Sequence, residues 1–292
     1  MFDEDFLMRL QRLHLLAKRM AGRMSAGMQR SMRLGDGLEF ADHRAYAAGD
    51  DIRFVDWPYY ARMEKLLLRL FHQQSEAEVA ILLDRSASMA PDGQEEKFRY
   101  ALRAAAALAY VAMASLDRVT LQPFGRQLGK AMKTGRSAAQ LLQALDFLAA
   151  TEASGRTSLG ECIERFARQS PPSATVFLIS DLLDCADQLS GALAHLKQRS
   201  CDVTVLHVYM PQDAEPRLTG AVLLDCAETG RQMPLEATEA VLESYQQRWN
   251  DFQAGCKRTC GSHAVTYITS PTDRPFEKLI LTTLRHAGIL GR

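Results

Sequence analysis

A doubly wound α/β fold is what this chain predicts: a mostly parallel sheet covered by helices on both faces, preceded by an N-terminal helix and a small antiparallel β preamble. Three observations carry the expectation. From Val79 onward, strand-length apolar runs alternate with helix-length segments. The runs are apolar at successive positions, as strands buried on both faces are. The front of the chain lacks that rhythm, being broken by Gly35, Gly37 and Gly49 into pieces too short and too polar for a core of their own. The expected division is 1–75 for helix and preamble, and 76–292 for the α/β domain.

In chain order, Asp5 to about Met28 reads as a helix, with Phe6, Leu10, Leu13, Leu16, Ala17 and Met20 forming an apolar stripe. Short strands are expected at Leu38–Phe40, Ile52–Val55 and Leu66–Phe71. Buried strands follow at Val79–Leu83, Val119–Phe124, Thr175–Ile179, Val203–Tyr209 and Val265–Ile268. Helices are expected near Glu96–Ser115, Ala138–Ala149, Leu159–Gln169, Cys185–Arg199, Ala237–Thr259 and Phe276–Ala287. A run of four alanines from Ala104 marks the first of these as a strong helix former. Leu218–Leu224 and Arg231–Leu235 read as a hairpin inserted near 218–235.

Composition excludes several classes. The chain has 292 residues, 47% of them hydrophobic, enough for a full core. Lysine plus arginine and aspartate plus glutamate both number 35, so no bulk positive charge recruits nucleic acid. The basic residues near the front, Arg9, Arg12, Lys18, Arg19, Arg23, Arg30 and Arg33, suit either a solvated helix face or a surface-binding one. No apolar stretch approaches the 18 or so residues that a spanning helix needs, so no transmembrane segment is expected. The six cysteines are scattered, several within apolar runs, as buried thiols of a cytoplasmic protein would be. Cys256, Cys260 and His263 leave a tetrahedral zinc site one ligand short.

The chemistry concentrates at Ala80–Met89, where a buried run delivers Asp84, Ser86 and Ser88 into a turn. Alternate side chains of an extended segment point the same way. One carboxylate and two hydroxyls then share a small volume, a hard oxygen site suited to Mg²⁺, with Mn²⁺ as second choice. The bland alternative is a strand followed by capping residues. In a doubly wound sheet, ligands sit beyond the carboxyl ends of strands where strand order reverses. A second buried run ends there in Asp181, and Thr157 opens the helix before it. The expected metal set is Asp84, Ser86, Ser88, Thr157 and Asp181, with Thr134 as rival to Thr157, since Thr134-Gly135-Arg136-Ser137 also precedes a helix.

Asp84-x-Ser86-x-Ser88 with Thr157 and Asp181 resembles the metal-ion-dependent adhesion site of von Willebrand factor type A domains, which are Rossmann-like. In the front section, Gly35-Asp36-Gly37-Leu38-Glu39-Phe40, Arg44-x-Tyr46, Gly49-Asp50-Asp51-Ile52-Arg53, Asp56-Trp57 and Ala61-Arg62 resemble the DUF58 family, which joins such a preamble to a type A-like domain. Asp225 with Glu228-Thr229-Gly230 resembles an acidic hairpin turn seen late in its members. The chain departs from the family at Gln73 and Gln74, where paired glutamates are common, and in lacking the transmembrane helices that many members carry.

The resemblance implies that the five residues hold the ion directly or through water and that a partner's carboxylate fills the open position. It also implies a MoxR-type AAA+ ATPase as partner, beside an unidentified protein client, with the chain as adaptor or co-chaperone. The alternative is a metal-dependent phosphoesterase or hydrolase using Asp84. A dehalogenase-like phosphatase needs a second aspartate two residues on, and this chain has Ser86, whose hydroxyl is no proton donor near neutral pH. No Gly-x-Ser-x-Gly elbow and no Walker-type loop appear, and His207 lies inside an apolar run. The expectation is therefore not an enzyme. In the Arg53, Asp56, Trp57 and Arg62 cluster, Trp57 is expected to be a buried anchor with Asp56 and Arg62 as a supporting ion pair; the alternative is a partner-docking surface, for which exposed Tyr59 and Tyr60 would be the better contacts.

Overall fold

The computed structural model describes residues 2–13, 34–47, 50–72, 78–91, 94–115, 117–134, 138–183 and 185–286. Outside them lie Leu16, Ala17 and Met20 of the expected first helix, Lys18, Arg19, Arg23, Arg30 and Arg33, and also Gly49, Gln73, Gln74 and Gly135–Ser137. Two compact units emerge, one joining 1–26 to 77–292 and the other spanning 27–76.

The larger unit opens with helix α1 (residues 4–13), whose first turn is capped by the Asp3 carboxylate accepting from the Phe6 N–H at 2.9 Å. Phe6, Leu10 and Leu13, spaced to share one helix face, are buried in the same apolar cluster as Val79, Ile81 and Leu83. The Phe6 ring lies 5.3 Å from that of Phe276, and Arg9 sits over Phe276 while pairing with Glu277. This corrects the expected division: the helix belongs to the α/β unit because its apolar stripe completes that core.

The smaller unit holds β1 (Leu34–Ala45), helix α2 (Trp57–Met63) and β2 (Leu67–His72), the strands pairing antiparallel. Gly35 and Gly37 do not end an element; they fall within β1 where its register slips between Leu34 and Glu39. The strand expected at Ile52–Val55 is instead a 3₁₀ turn at Ile52–Phe54, capped by Asp51, with Val55 making one isolated bridge to Leu68. The helix that follows was missed. Asp56 caps it by accepting from the Tyr59 N–H at 3.0 Å, and Pro58 occupies its first turn, where no amide donor is required. Asp56 pairs with His43 at 2.9 Å rather than with Arg62, whose guanidinium donates to the Pro58 carbonyl. Trp57 is not a buried anchor: at the first position of a short helix with no fully buried residue it is 53% exposed.

The larger unit resumes with β3 (Glu78–Asp84), α3 (Glu96–Ala114), β4 (Arg118–Phe124), β5 (Met132–Thr134), α4 (Ala138–Ala149), α5 (Leu159–Gln169), β6 (Thr175–Ser180) and α6 (Leu189–Gln198). It continues through β7 (Asp202–Tyr209), α7 (Pro211–Ala214), the hairpin β8 (Gly220–Asp225) and β9 (Gln232–Ala237), α8 (Glu239–Ser262), β10 (Thr266–Pro271) and α9 (Phe276–His286). The sheet runs β10-β7-β6-β3-β4-β5, all parallel except β5 against β4. Val79, Ile81 and Leu83 pack into one cluster with α1, α3, α4 and α9, while Ala80 and Leu82 pack into the other with α5, α6 and α8. Each fully buried Ile or Leu contributes roughly 2 kcal/mol by leaving water. The fold class is the expected one, mixed α/β with a mostly parallel central sheet and small antiparallel strands toward the N-terminus. From β3 the chain winds outward through β4 and β5, then returns to β6 on the other side of β3. The topological switch point is therefore at β3, where a ligand crevice is expected beyond the strand ends.

Candidate metal centre

Asp84 is the last residue of β3 and is fully buried. One oxygen, Oδ1, accepts from the Ser86 N–H at 2.9 Å, and Oδ2 accepts from the Ser180 hydroxyl at 2.6 Å. The first bond turns the chain sharply after the strand, and the second ties the end of β3 to the end of β6. Ser86 and Ser88 follow, their hydroxyl oxygens 3.0 Å apart, with Ser88 in a 3₁₀ turn over Ala87–Met89. Asp181 follows β6 and is equally buried. Its Oδ1 accepts from the Leu183 N–H at 3.2 Å across a turn in which Leu182 adopts a left-handed φ of 56°. A leucine held in that region is backbone strain kept at the turn after β6.

Thr157 reaches the same edge through backbone ties. The Ala87 N–H donates to the Gly155 carbonyl at 2.8 Å, the Ser154 N–H to the Arg85 carbonyl at 2.7 Å and the Ser158 N–H to the Gly125 carbonyl at 2.9 Å. Gly155 sits at φ 72°, which suits glycine. The rival lies elsewhere. Thr134 pairs with Val119 at the amino end of β4, and its hydroxyl donates to the Val119 carbonyl at 3.2 Å.

Burial first, and the neighbouring charge of Asp181 second, push the Asp84 carboxyl up to about 7. The Thr157 Oγ1 is buried with no hydrogen-bond partner. Two buried carboxylates that repel, at the sheet edge that Thr157 also reaches, are what a divalent cation with oxygen preference would relieve. The donor set fits Mg²⁺ or Mn²⁺. Among the described residues, no three His, Cys, Asp or Glu side chains gather closely enough to hold a metal, so such an ion would depend on the hydroxyls. Cys256 and Cys260 lie on the buried face of α8, in the core, and His263 meets the Ser190 hydroxyl at 3.0 Å.

Three participants were not named from the sequence. Lys97 is 1% exposed, and its ammonium donates to Asp181 Oδ2 at 2.9 Å and to Asp213 Oδ2 at 3.3 Å. Burial would lower its pKa, but Asp181 and Asp213 outweigh that and hold it above the usual lysine range. Its signal was legible: Lys97, Ala101, Ala104, Ala105 and Leu108 share the apolar stripe of α3, where a lone cation needs a buried partner. Ser180, beside Asp181, and Asp213, capping α7, carried no comparable signal. Arg85, Arg126 and Arg156 line a cavity beside Gly155 and Glu228.

A doubly wound α/β domain with buried carboxylate and hydroxyl oxygens at its switch point, and a small antiparallel unit earlier in the chain, is the class that fold and site define. The chain belongs to the family described as protein of unknown function DUF58, whose model matches residues 42–254. An uncharacterized protein of Mycobacterium bovis is 25% identical over 277 residues, 93% of this chain and 86% of that protein. Among solved structures, the conserved hypothetical protein BatB from Bacteroides thetaiotaomicron is similar over 73% of this chain and 99% of its own, with 17% identity and a TM-score of 0.45. A von Willebrand factor type A structure from Catenulispora acidiphila is similar over 77% of this chain and 44% of its own, with 14% identity and a TM-score of 0.42. No helix among the described residues is long and apolar enough to cross a membrane.

Proposed function

We propose that this protein is a metal-dependent protein-interaction module. Asp84, Ser86, Ser88, Thr157 and Asp181 would hold Mg²⁺, and a partner's acidic side chain would complete the coordination. The supporting observation is the pairing of two buried carboxylates with an unpartnered Thr157 hydroxyl. Charge accounting favours an incoming acid. Lys97 already balances part of the Asp181 charge, so a divalent ion held otherwise by Asp84 and neutral hydroxyls keeps a residual positive field. Arg85, Arg126 and Arg156 add positive charge beside it, which steers an acidic partner.

The reading is of a non-catalytic, cytoplasmic adaptor or co-chaperone for a MoxR-type AAA+ ATPase and its client, the ATPase being implied by the family resemblance. Against an Asp84 nucleophile stands its geometry: both oxygens accept hydrogen bonds from Ser86 and Ser180, and no carboxylic acid stands two residues on. Calorimetric titration with Mg²⁺ and Mn²⁺ tests the ion, with binding expected for the native protein and lost in Asp84→Ala. Capture experiments run with Mg²⁺, with EDTA and with Asp84→Ala should recover the ATPase only when the site is loaded. Hydrolysis of a phosphoester that depends on metal and on Asp84 would overturn the non-catalytic reading.

A further inference from the structure

Positive charge gathers beside the carboxyl ends of β3 and β4. Arg85 follows β3, Arg126 follows β4 and Arg156 lies just ahead of α5, and the three line a cavity of about 460 Å³ with Ser154, Gly155 and Glu228. A second cavity, of about 560 Å³, shares Arg126 and Arg156 and reaches Thr157, Ser158 and Glu161 at the start of α5. Arg126 is exposed, and its guanidinium has no hydrogen-bond or ion-pair partner among the described residues. A guanidinium without an acceptor at a concave surface offers its planar fork to a carboxylate. One carboxylate already stands at the wall. Glu228, in the turn between β8 and β9, accepts through Oε2 from the Thr157 N–H at 3.4 Å, and its carbonyl accepts from the Arg156 guanidinium at 3.5 Å. Both bonds are longer than the roughly 2.7–2.9 Å of a strong charge-assisted bond. The hairpin that carries Glu228 is exposed or half-buried along both strands, and a two-stranded ribbon has little stability of its own.

We propose that the arginine-lined cavity is a docking site for an acidic side chain of a partner protein, and that Glu228 is the resident carboxylate which that side chain displaces. Charge counting supports an exchange. The lining carries three arginines and two glutamates, Glu161 and Glu228, an excess of one positive charge. Withdrawal of Glu228 raises the excess to two and frees the Thr157 amide and the Arg156 guanidinium as donors. An incoming carboxylate restores the original balance, one anion replacing another of the same charge. A hairpin with little burial is an element that can swing aside to allow it. The site works without an ion, so the inference goes beyond the metal-dependent reading and stands or falls apart from it.

The test uses a fluorescein-labelled oligoglutamate peptide on the full chain, in EDTA and at low salt, with affinity read by fluorescence anisotropy. An oligoglutamine peptide of the same length should not bind. Glu228→Gln removes the resident charge and should tighten oligoglutamate binding at least about fivefold, the lower end of ordinary coupling between competing groups. Adding Arg126→Gln to that variant should weaken binding about fivefold, as loss of one exposed ion pair does, and adding Arg156→Gln should weaken it further. Arg118→Gln, which removes the same charge at the amino end of β4, should match its parent. Urea unfolding of each variant shows that the fold is kept. Equal affinity in the native protein and Glu228→Gln would overturn the role of Glu228, and affinity indifferent to Arg126 and Arg156 would overturn the site. Absence of binding in both the native protein and Glu228→Gln would overturn the whole proposal. A phosphoserine peptide held far more tightly than oligoglutamate, with the same dependence on the arginines, would overturn the carboxylate assignment. None of these outcomes touches the metal-dependent reading, because no ion is present.

Discussion

Lys97 shows how one residue sets the electrostatics of the whole pocket. An ammonium that is 1% exposed survives only because Asp181 and Asp213 receive it, and those carboxylates are tolerated only because it is there. Lys97→Met should therefore destabilise the fold by about 3–5 kcal/mol, the usual effect of stripping one partner from a buried ion pair. Urea unfolding in EDTA measures it. Adding Mn²⁺ should restore part of the loss, because a divalent ion can supply to Asp181 the positive charge that the lysine provided. A Lys97→Met protein as stable as the native one in EDTA would remove the lysine from this role.

At the scale of elements, the helix α1 makes the same point about packing. Leu10 is fully buried among residues of the sheet and of α9, whereas Met8 on the same helix is 52% exposed. Leu10→Ala should cost about 2–5 kcal/mol in urea unfolding, and Met8→Ala no more than about 0.5. Equal, small losses would detach α1 from the core. The sequence was most informative where both faces of an element are buried. Val79–Leu83 and Thr175–Ile179 were readable as neighbouring strands because unbroken apolar runs have few other uses. Asp84, Ser86, Ser88 and Asp181 followed from where those runs end. Between Thr157 and Thr134 local chemistry does not choose, since both precede helices; the backbone ties from Ser154 and Gly155 to the Asp84 turn put Thr157, and not Thr134, at that edge. The three-residue β5 is too short to carry a periodic signal, and α2 was hidden because its caps, Asp56 and Pro58, sit in a run that also suits a turn.

At the scale of the whole molecule, the sheet's core carries a polar group that the proposed site does not use. His207, in the middle of β7, has no exposed surface and is surrounded by Tyr209, Trp249, Phe252 and Tyr267, with its Nδ1 2.5 Å from the Tyr267 hydroxyl. Burial first and the Lys97 charge second depress its pKa from 6.5 to about 4, against smaller opposing effects of a hydrogen bond at Asp181 and the Asp213 charge. The imidazole is therefore neutral in the fold at pH 7. Below about 6.5 the unfolded chain takes up a proton that the folded chain refuses until about 4, so the unfolded state binds more protons and stability falls with pH. The contribution is fully present above 6.5 and declines through the window down to about 4. By pH 5 this one group should have cost about 2 kcal/mol relative to pH 7. The Asp84 carboxyl, pushed up to about 7, titrates near this window as well, so the comparison is with His207→Phe, which keeps the aromatic cluster and removes the imidazole titration. The native protein should lose more stability than His207→Phe between pH 7 and pH 5 in urea unfolding. Parallel losses in the two proteins would mean that the imidazole is not held neutral by the core.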